Sequence, residues 1–405
     1  MAEWEYIERL RLALNMPLYG GIKSKKRIWQ MNYDDANLAF NDYPFKYLMT
    51  GMFIPSELIA TFDYPFIPTE PLAVSVGMMN YHKGLLERME SRYDGMQLCS
   101  AIEIMLGMFE EGLIPPPGAV VFSSYMCEDA QKMYGTIARR YNCPSYFLDI
   151  PFNVDNPSAL NYVTEQLFEL GQFLEEYTGC KMNPDRFRQV IKNSNEANRV
   201  RKEVLELRAQ YQVTQVSDVF PIYPLFTKFG REDITEIYRE IKQEMVKRIE
   251  NRQIYRHRFR VLWLGMIPLL SNKFMKTLDK NYGISLALEE NSIFSLWDKI
   301  DEENPWEGLA RKTLSYHPLG TVDRRLAAIE RFINEYKIDG VIHFSHQGCR
   351  VYNGGVSFIS AHLKRLGIPF LELSGDILDS RNFNEESYHL RMEAFVELLK
   401  SKEGE

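Results

Sequence analysis

Short apolar runs alternate with longer segments of helical periodicity along most of the chain. The first runs fall at residues 47–49, 119–122 and 145–150, and each ends at a polar or small residue. Helix-like segments at 100–111 and 128–141 lie beside them. Unbroken apolar runs suit strands buried on both faces. Strands that alternate with helices predict a parallel sheet covered on both sides. A second set of runs at 260–265, 284–288, 340–344 and 369–373 repeats the plan. Helical patterns at 325–336 and 357–366 fall between its members, and 385–402 closes the chain as a helix.

Residues 157–255 break this rhythm. They carry long, highly charged stretches of helical period at 158–178, 184–211 and 234–252. Asn183-Pro184 places a cap residue and a first-turn proline at the start of the second of these. The predicted fold class is α/β, with two Rossmann-like parallel-sheet domains and a helical insert. The segments are an N-terminal helical piece at 1–45, a first α/β domain at 46–156, a helical region at 157–255, a second α/β domain at 256–384, and a C-terminal helix at 385–405.

Composition narrows the function classes. The 405 residues are 45% hydrophobic and 25% charged, with a net charge of −7, as in a globular protein of two or three domains. No basic run stands out, which argues against a nucleic-acid partner. No stretch reaches the roughly 20 apolar residues that cross a bilayer, so no membrane role is expected. The acidic start, Met1-Ala2-Glu3-Trp4-Glu5, lacks the basic and apolar regions of a signal peptide, and a cytoplasmic location is expected. Neither a Gly-x4-Gly-Lys-Ser/Thr loop nor a Gly-x-Gly-x-x-Gly fingerprint occurs. ATP hydrolysis, if the function needs it, must belong to a partner, and no nicotinamide cofactor is indicated.

Five cysteines are too few for a disulfide framework. They read as small buried groups, reactive thiols or metal ligands. Cys99, Cys127 and Cys349 each fall where a strand ends or a helix begins, the edge at which open α/β sheets build their sites. Free N–H groups at a helix start also favour a thiolate. Their separations match no compact zinc or ferredoxin signature. Three thiolates at such edges can hold three irons of a cubane and leave the fourth open. Cys143, before Pro144, and Cys180, after Gly179, read as structural.

The surroundings of these cysteines carry more information than their spacing. Leu98-Cys99-Ser100, Ser124-Tyr125-Met126-Cys127-Glu128-Asp129 and Cys143-Pro144-Ser145-Tyr146-Phe147-Leu148-Asp149-Ile150-Pro151-Phe152-Asn153 occur in that order. So do Asp339-Gly340-Val341-Ile342-His343-Phe344, Gly348-Cys349-Arg350 and Gly367-Ile368-Pro369-Phe370-Leu371-Glu372-Leu373-Ser374-Gly375-Asp376. Over roughly residues 45–400 the chain resembles the 2-hydroxyacyl-CoA dehydratase and benzoyl-CoA reductase family. The resemblance implies one [4Fe-4S] cluster held by Cys99, Cys127 and Cys349 between the two domains. It implies a sister subunit of the same family or a homodimer, and a separate ATP-dependent iron–sulfur activator that supplies one low-potential electron. The substrate would be an acyl-CoA. In a dehydratase the open iron takes the thioester carbonyl of an (R)-2-hydroxyacyl-CoA, a ketyl radical forms, and hydroxide leaves. In a benzoyl-CoA reductase the electrons stay in the ring.

Glu70, in Pro68-Thr69-Glu70-Pro71, falls where substrate-binding dehydratase subunits carry an acid, which implies a catalytic proton donor. Glu57, in Pro55-Ser56-Glu57-Leu58, reads instead as a carboxylate at a helix start. Met52 stands where dehydratase subunits often place a serine, with Thr50 nearby. His343, His346 and Arg350 flank Cys349 and can hydrogen-bond cluster sulfides or a phosphate of CoA, although His343 reads as a core residue. Two other readings share the resemblance. One is a non-catalytic electron-relay or partner subunit. The other is a double-cubane reductase of small molecules, which needs more cysteine ligands than the three family positions.

Overall fold

A computed structural model describes residues 4–403 apart from 15–21, 80–81, 94–97, 215–217, 219–221, 256, 269–271, 294–295, 380 and 382–383. The fold is α/β with two four-stranded parallel sheets. The first holds β1 (Leu48–Thr50), β2 (Phe66–Pro68), β3 (Ala119–Ser123) and β4 (Ser145–Leu148), in the order β2-β1-β3-β4. The second holds β5 (Phe259–Gly265), β6 (Ile284–Glu289), β7 (Gly340–His346) and β8 (Phe370–Gly375), in the order β6-β5-β7-β8. All pairs are parallel. The two halves thus share one topology, and each sheet reverses direction between its first and third strands. At that switch the loops diverge and leave a crevice at the strands' carboxyl ends.

The apolar runs become strands because helices cover both faces. Every residue of β6 and β7 is buried, and Trp263, Phe259 and Phe344 fill the space against helix Glu385–Glu403. β2 is the one strand that the apolar pattern did not predict. It has three residues and ends at Pro68, a residue tolerated at a sheet edge. Of the 145–150 run, only Ser145–Leu148 pairs in the sheet.

Helices Ala159–Thr178, Pro184–Tyr211 and Glu232–Glu250 form the region between the sheets' sequences. Asn183 caps the second, its side chain accepting from the N–H groups of Asp185 and Arg186. Buried ion pairs fix these helices in place. Arg208 meets Glu289 at the end of β6. Glu57, in the first turn of helix Ser56–Thr61, accepts from Ser194 Oγ at 2.5 Å and pairs with Lys312. Lys312 also lies 4.1 Å over the Trp297 ring. Burial pulls the Lys312 ammonium down toward neutrality, and Glu57 opposes that pull. Lys312→Ala leaves the Glu57 carboxylate, which has no solvent exposure, without its direct ion-pair partner. Equilibrium urea unfolding is expected to show a loss of about 3–5 kcal/mol, with Glu57→Gln/Lys312→Met losing much less. Among the described residues, no helix is long and apolar enough to cross a membrane.

Candidate active site between the two sheets

The carboxyl edges of both sheets open onto one cavity of about 320 Å³. Most site residues arrive in the turn that follows a strand. Met52 and Phe53 follow β1, Glu70 follows β2, Cys127 follows β3, Met266 follows β5, and Cys349 follows β7. Cys99 arrives separately at the start of helix Ser100–Glu110. Residues 95–97, the loop expected before it, lie outside the described residues. The structure brings Cys99, Cys127, Cys349 and Glu70 to the same cavity wall. Cys143 and Cys180 line other surfaces, half-buried and exposed respectively. None of the five is in a disulfide.

The three cavity cysteines share one local design: each is the residue that caps a helix. Cys127 Sγ accepts from Ala130 N–H at 3.4 Å. The Ala101 N–H faces Cys99, and the N–H groups of Tyr352 and Val351 face Cys349. Such N–H groups favour thiolates, but burial opposes them and wins. It pushes the Cys99 thiol well up, with Cys127 and Cys349 adding like charge. It raises Cys127 to about 12 and raises Cys349 as well, against help from the Arg325 cation. Three uncompensated thiolates cannot coexist here, whereas a cationic group among them would reverse the balance. Among the described residues, no three His, Cys, Asp or Glu side chains close on a single ion.

Gly348 sets the distance between the two halves. Its φ of +81° favours glycine, and a Cβ there would lie 3.0 Å from Cys99 N and 3.1 Å from the Leu98 carbonyl. The loop that presents Cys349 can approach Cys99 only without a side chain. Gly348→Ala is expected to lower the melting temperature and to speed modification of Cys99 and Cys349 by a thiol reagent. Cys180 serves as the internal reference, and an unchanged rate at all three would refute the account.

Glu70 sits in the first turn of helix Thr69–Met78. Its Oε2 accepts from Met52 N–H at 3.0 Å and lies 2.9 Å from the Tyr134 hydroxyl. Burial pushes its carboxyl up to about 7, although both hydrogen bonds pull downward. The Tyr134 hydroxyl also lies 3.1 Å from the Thr50 carbonyl oxygen. Its single hydrogen therefore has two acceptors: Glu70 Oε2 when the carboxyl is ionised, and Thr50 O when it is protonated. The remaining wall is apolar, with Val74, Ile102 and Ile377 beside Met52, Phe53 and Met266.

The flanking groups separate by role. His343 is fully buried, with Nδ1 3.1 Å from Ser345 Oγ and Nε2 3.2 Å from the Tyr352 carbonyl, and it faces the core as expected. Arg350 stands at the cavity mouth, 77% exposed, and pairs with Glu128 at 3.0 Å. His346 lines the cavity. Tyr134, Arg325 and Asp376 were not singled out from sequence. Tyr134 follows Cys127 at a helical spacing that stacks the two on one face, which is a usable signal. Arg325 bonds Glu290 through two nitrogens, at 2.6 and 2.7 Å, and the Tyr352 carbonyl at 2.8 Å. It thereby puts a buried cation behind Cys349, and nothing local in its helix marks this.

Comparison with known proteins adds an independent line. The family described as 2-hydroxyglutaryl-CoA dehydratase, D-component, matches residues 51–399. The B subunit of benzoyl-CoA reductase from Thauera aromatica is 25% identical over 386 residues, covering 87% of this chain and 89% of the relative. The alpha subunit of (R)-2-hydroxyglutaryl-CoA dehydratase from Acidaminococcus fermentans is 24% identical over 310 residues, covering 74% of this chain and 64% of the relative. The alpha subunit of (R)-phenyllactyl-CoA dehydratase from Clostridium sporogenes is 23% identical, with 86% and 88% covered.

Proposed function

Because the chain belongs to the 2-hydroxyglutaryl-CoA dehydratase D-component family, we propose that it is the iron–sulfur subunit of a 2-hydroxyacyl-CoA dehydratase or an aryl-CoA reductase. The observation that carries this reading is the arrival of three free, helix-capping cysteines at one cavity that also holds a carboxyl raised to about 7. The donor set suits a [4Fe-4S] cluster on Cys99, Cys127 and Cys349. Three soft thiols without oxygen ligands are what such a cluster takes, and thiols that do not close on a single ion can each bind a different iron. When bound, the cluster would supply a low-potential electron and a Lewis-acidic iron for the thioester carbonyl.

The chain's own residues then do three things. The N–H groups at the three helix starts face the sulfurs and stabilise their charge. The apolar wall excludes water from a strongly reducing site and accepts the acyl or aryl group. Glu70, its carboxyl raised to about 7, in its protonated form gives its proton to the departing oxygen or to the ring, while Tyr134 turns its hydrogen from Thr50 O to Glu70 Oε2 to meet the new charge. In this reading an ATP-dependent activator supplies the electron and a sister subunit completes the enzyme. The relatives' designations as alpha or B subunits support such a partner.

Anoxic purification followed by iron and sulfide analysis tests the reading. About four irons per chain are expected for one cubane. About eight would indicate a second cluster, and none would end the proposal. Conversion of an acyl-CoA in the presence of partner and activator separates a catalytic subunit from an electron relay.

A further inference from the structure

His346 ends β7, is 1% exposed, and places Nε2 3.1 Å from Cys99 Sγ. Its other ring nitrogen has a donor within reach. Ile377 N–H donates to Nδ1 at 3.3 Å. The nearest Asp376 oxygen to Nδ1, Oδ2, stands at 3.6 Å, beyond hydrogen-bond length. Asp376 Oδ1 is meanwhile occupied by Ser100 Oγ at 2.5 Å and by the N–H groups of Leu378 and Asp379 at 2.8 and 2.7 Å. The Gly375 carbonyl also faces the ring; when Nδ1 accepts from Ile377 N–H, the hydrogen of the neutral ring sits on Nε2 and points at sulfur. The His346 backbone is held as well, since Asn353 Nδ2 donates to its carbonyl at 2.8 Å.

Cys99 belongs to the first half of the chain and His346 to the second, so this contact bridges the two sides of the cavity. Together with the Ser100–Asp376 bond it forms a double link between the helix that Cys99 starts and the end of the second sheet. We propose that His346 is a positioning residue. It donates Nε2–H to the Cys99 sulfur, which fixes that thiolate across the gap and withdraws electron density from it. This inference rests on the cluster reading above. Hydrogen bonds to ligand sulfurs raise a cluster's reduction potential, so His346 would lower the basicity of the Cys99 thiolate.

The test uses anoxically purified protein, reduced and examined by electron paramagnetic resonance with potentiometric titration. In wild-type protein labelled with 15N-histidine, pulsed resonance should show one weak nitrogen coupling, as expected of a hydrogen bond. A strong coupling would make His346 an iron ligand, and no coupling would remove the contact; either overturns the inference. His346→Gln keeps a side-chain N–H and should hold the wild-type potential. His346→Leu should shift the potential downward at unchanged iron content, or lose iron while His346→Gln retains it. Equal potentials in wild type and both full-iron variants, or iron loss in both, would refute it. A wild-type protein that binds no iron refutes the cluster reading itself and takes this inference with it.

Discussion

Cys349→Ser is expected to abolish turnover and to strip iron from the protein, while Cys143→Ser and Cys180→Ser leave both unchanged. Serine keeps the size of the side chain but replaces a soft thiolate with a hard oxygen that stays protonated at neutral pH. Replacing a group that only supports a metal ligand commonly lowers affinity or activity by 10–100-fold. Loss of the ligand itself should exceed roughly 100-fold. Cys99→Ser and Cys127→Ser should behave alike, because each thiol enters the cavity from a separate turn and none can replace another. Cys143 and Cys180 do not line the cavity, which makes their variants the control. Iron content and activity measured on all five variants decide the matter. A Cys349→Ser protein with full iron would sink the ligand assignment.

Glu70→Gln is expected to reduce the rate about 10²–10⁴-fold, the usual contribution of a positioned general acid, with iron content unchanged. The amide can still accept from Met52 N–H but has no transferable proton. The pH profile provides the finer check. A carboxyl raised to about 7 is protonated below that pH, so wild-type turnover should fall as pH climbs through 7, and Glu70→Gln should lack that limb. Stability follows the same sign. The folded state holds the Glu70 proton more tightly than the unfolded chain does. Its contribution is therefore present at low pH and is lost as pH rises through about 7. The Tyr134 hydroxyl pulls the Glu70 carboxyl down, so Tyr134→Phe should move the limb to higher pH. A wild-type rate flat from pH 6 to 8 would contradict the assignment of Glu70 as proton donor.

The sheets were legible because parallel strands covered on both faces need apolar runs, as at Val261–Leu264 of β5 and Leu286-Ala287-Leu288 of β6, whereas β8 alternates buried Leu371 and Leu373 with more exposed neighbours. β2 escaped because three residues ending in proline look like a loop. The positions of Cys99, Cys127 and Cys349 at element edges were also readable, since each precedes a helical pattern. Their meeting was not, because no periodicity encodes how two sheets face each other. Only the family resemblance suggested it. The same limit hid the Cys99–His346 contact, whose partners are far apart in sequence. The exposed position of Arg350 was hidden too, because it depends on Glu128 standing across the mouth. Glu57 was read correctly as a residue of a helix start, but its buried partner Lys312 lies in a different part of the chain and leaves no local trace.

The Glu57–Lys312 and Arg208–Glu289 pairs reach across residue 256, each with one member on either side. A gene divided at that point would yield two polypeptides that each inherit buried, uncompensated charges of both kinds: Glu57 and Arg208 on one, Lys312 and Glu289 on the other. Neither fragment should be recovered in soluble form when expressed singly, whatever the symmetry of their sheets.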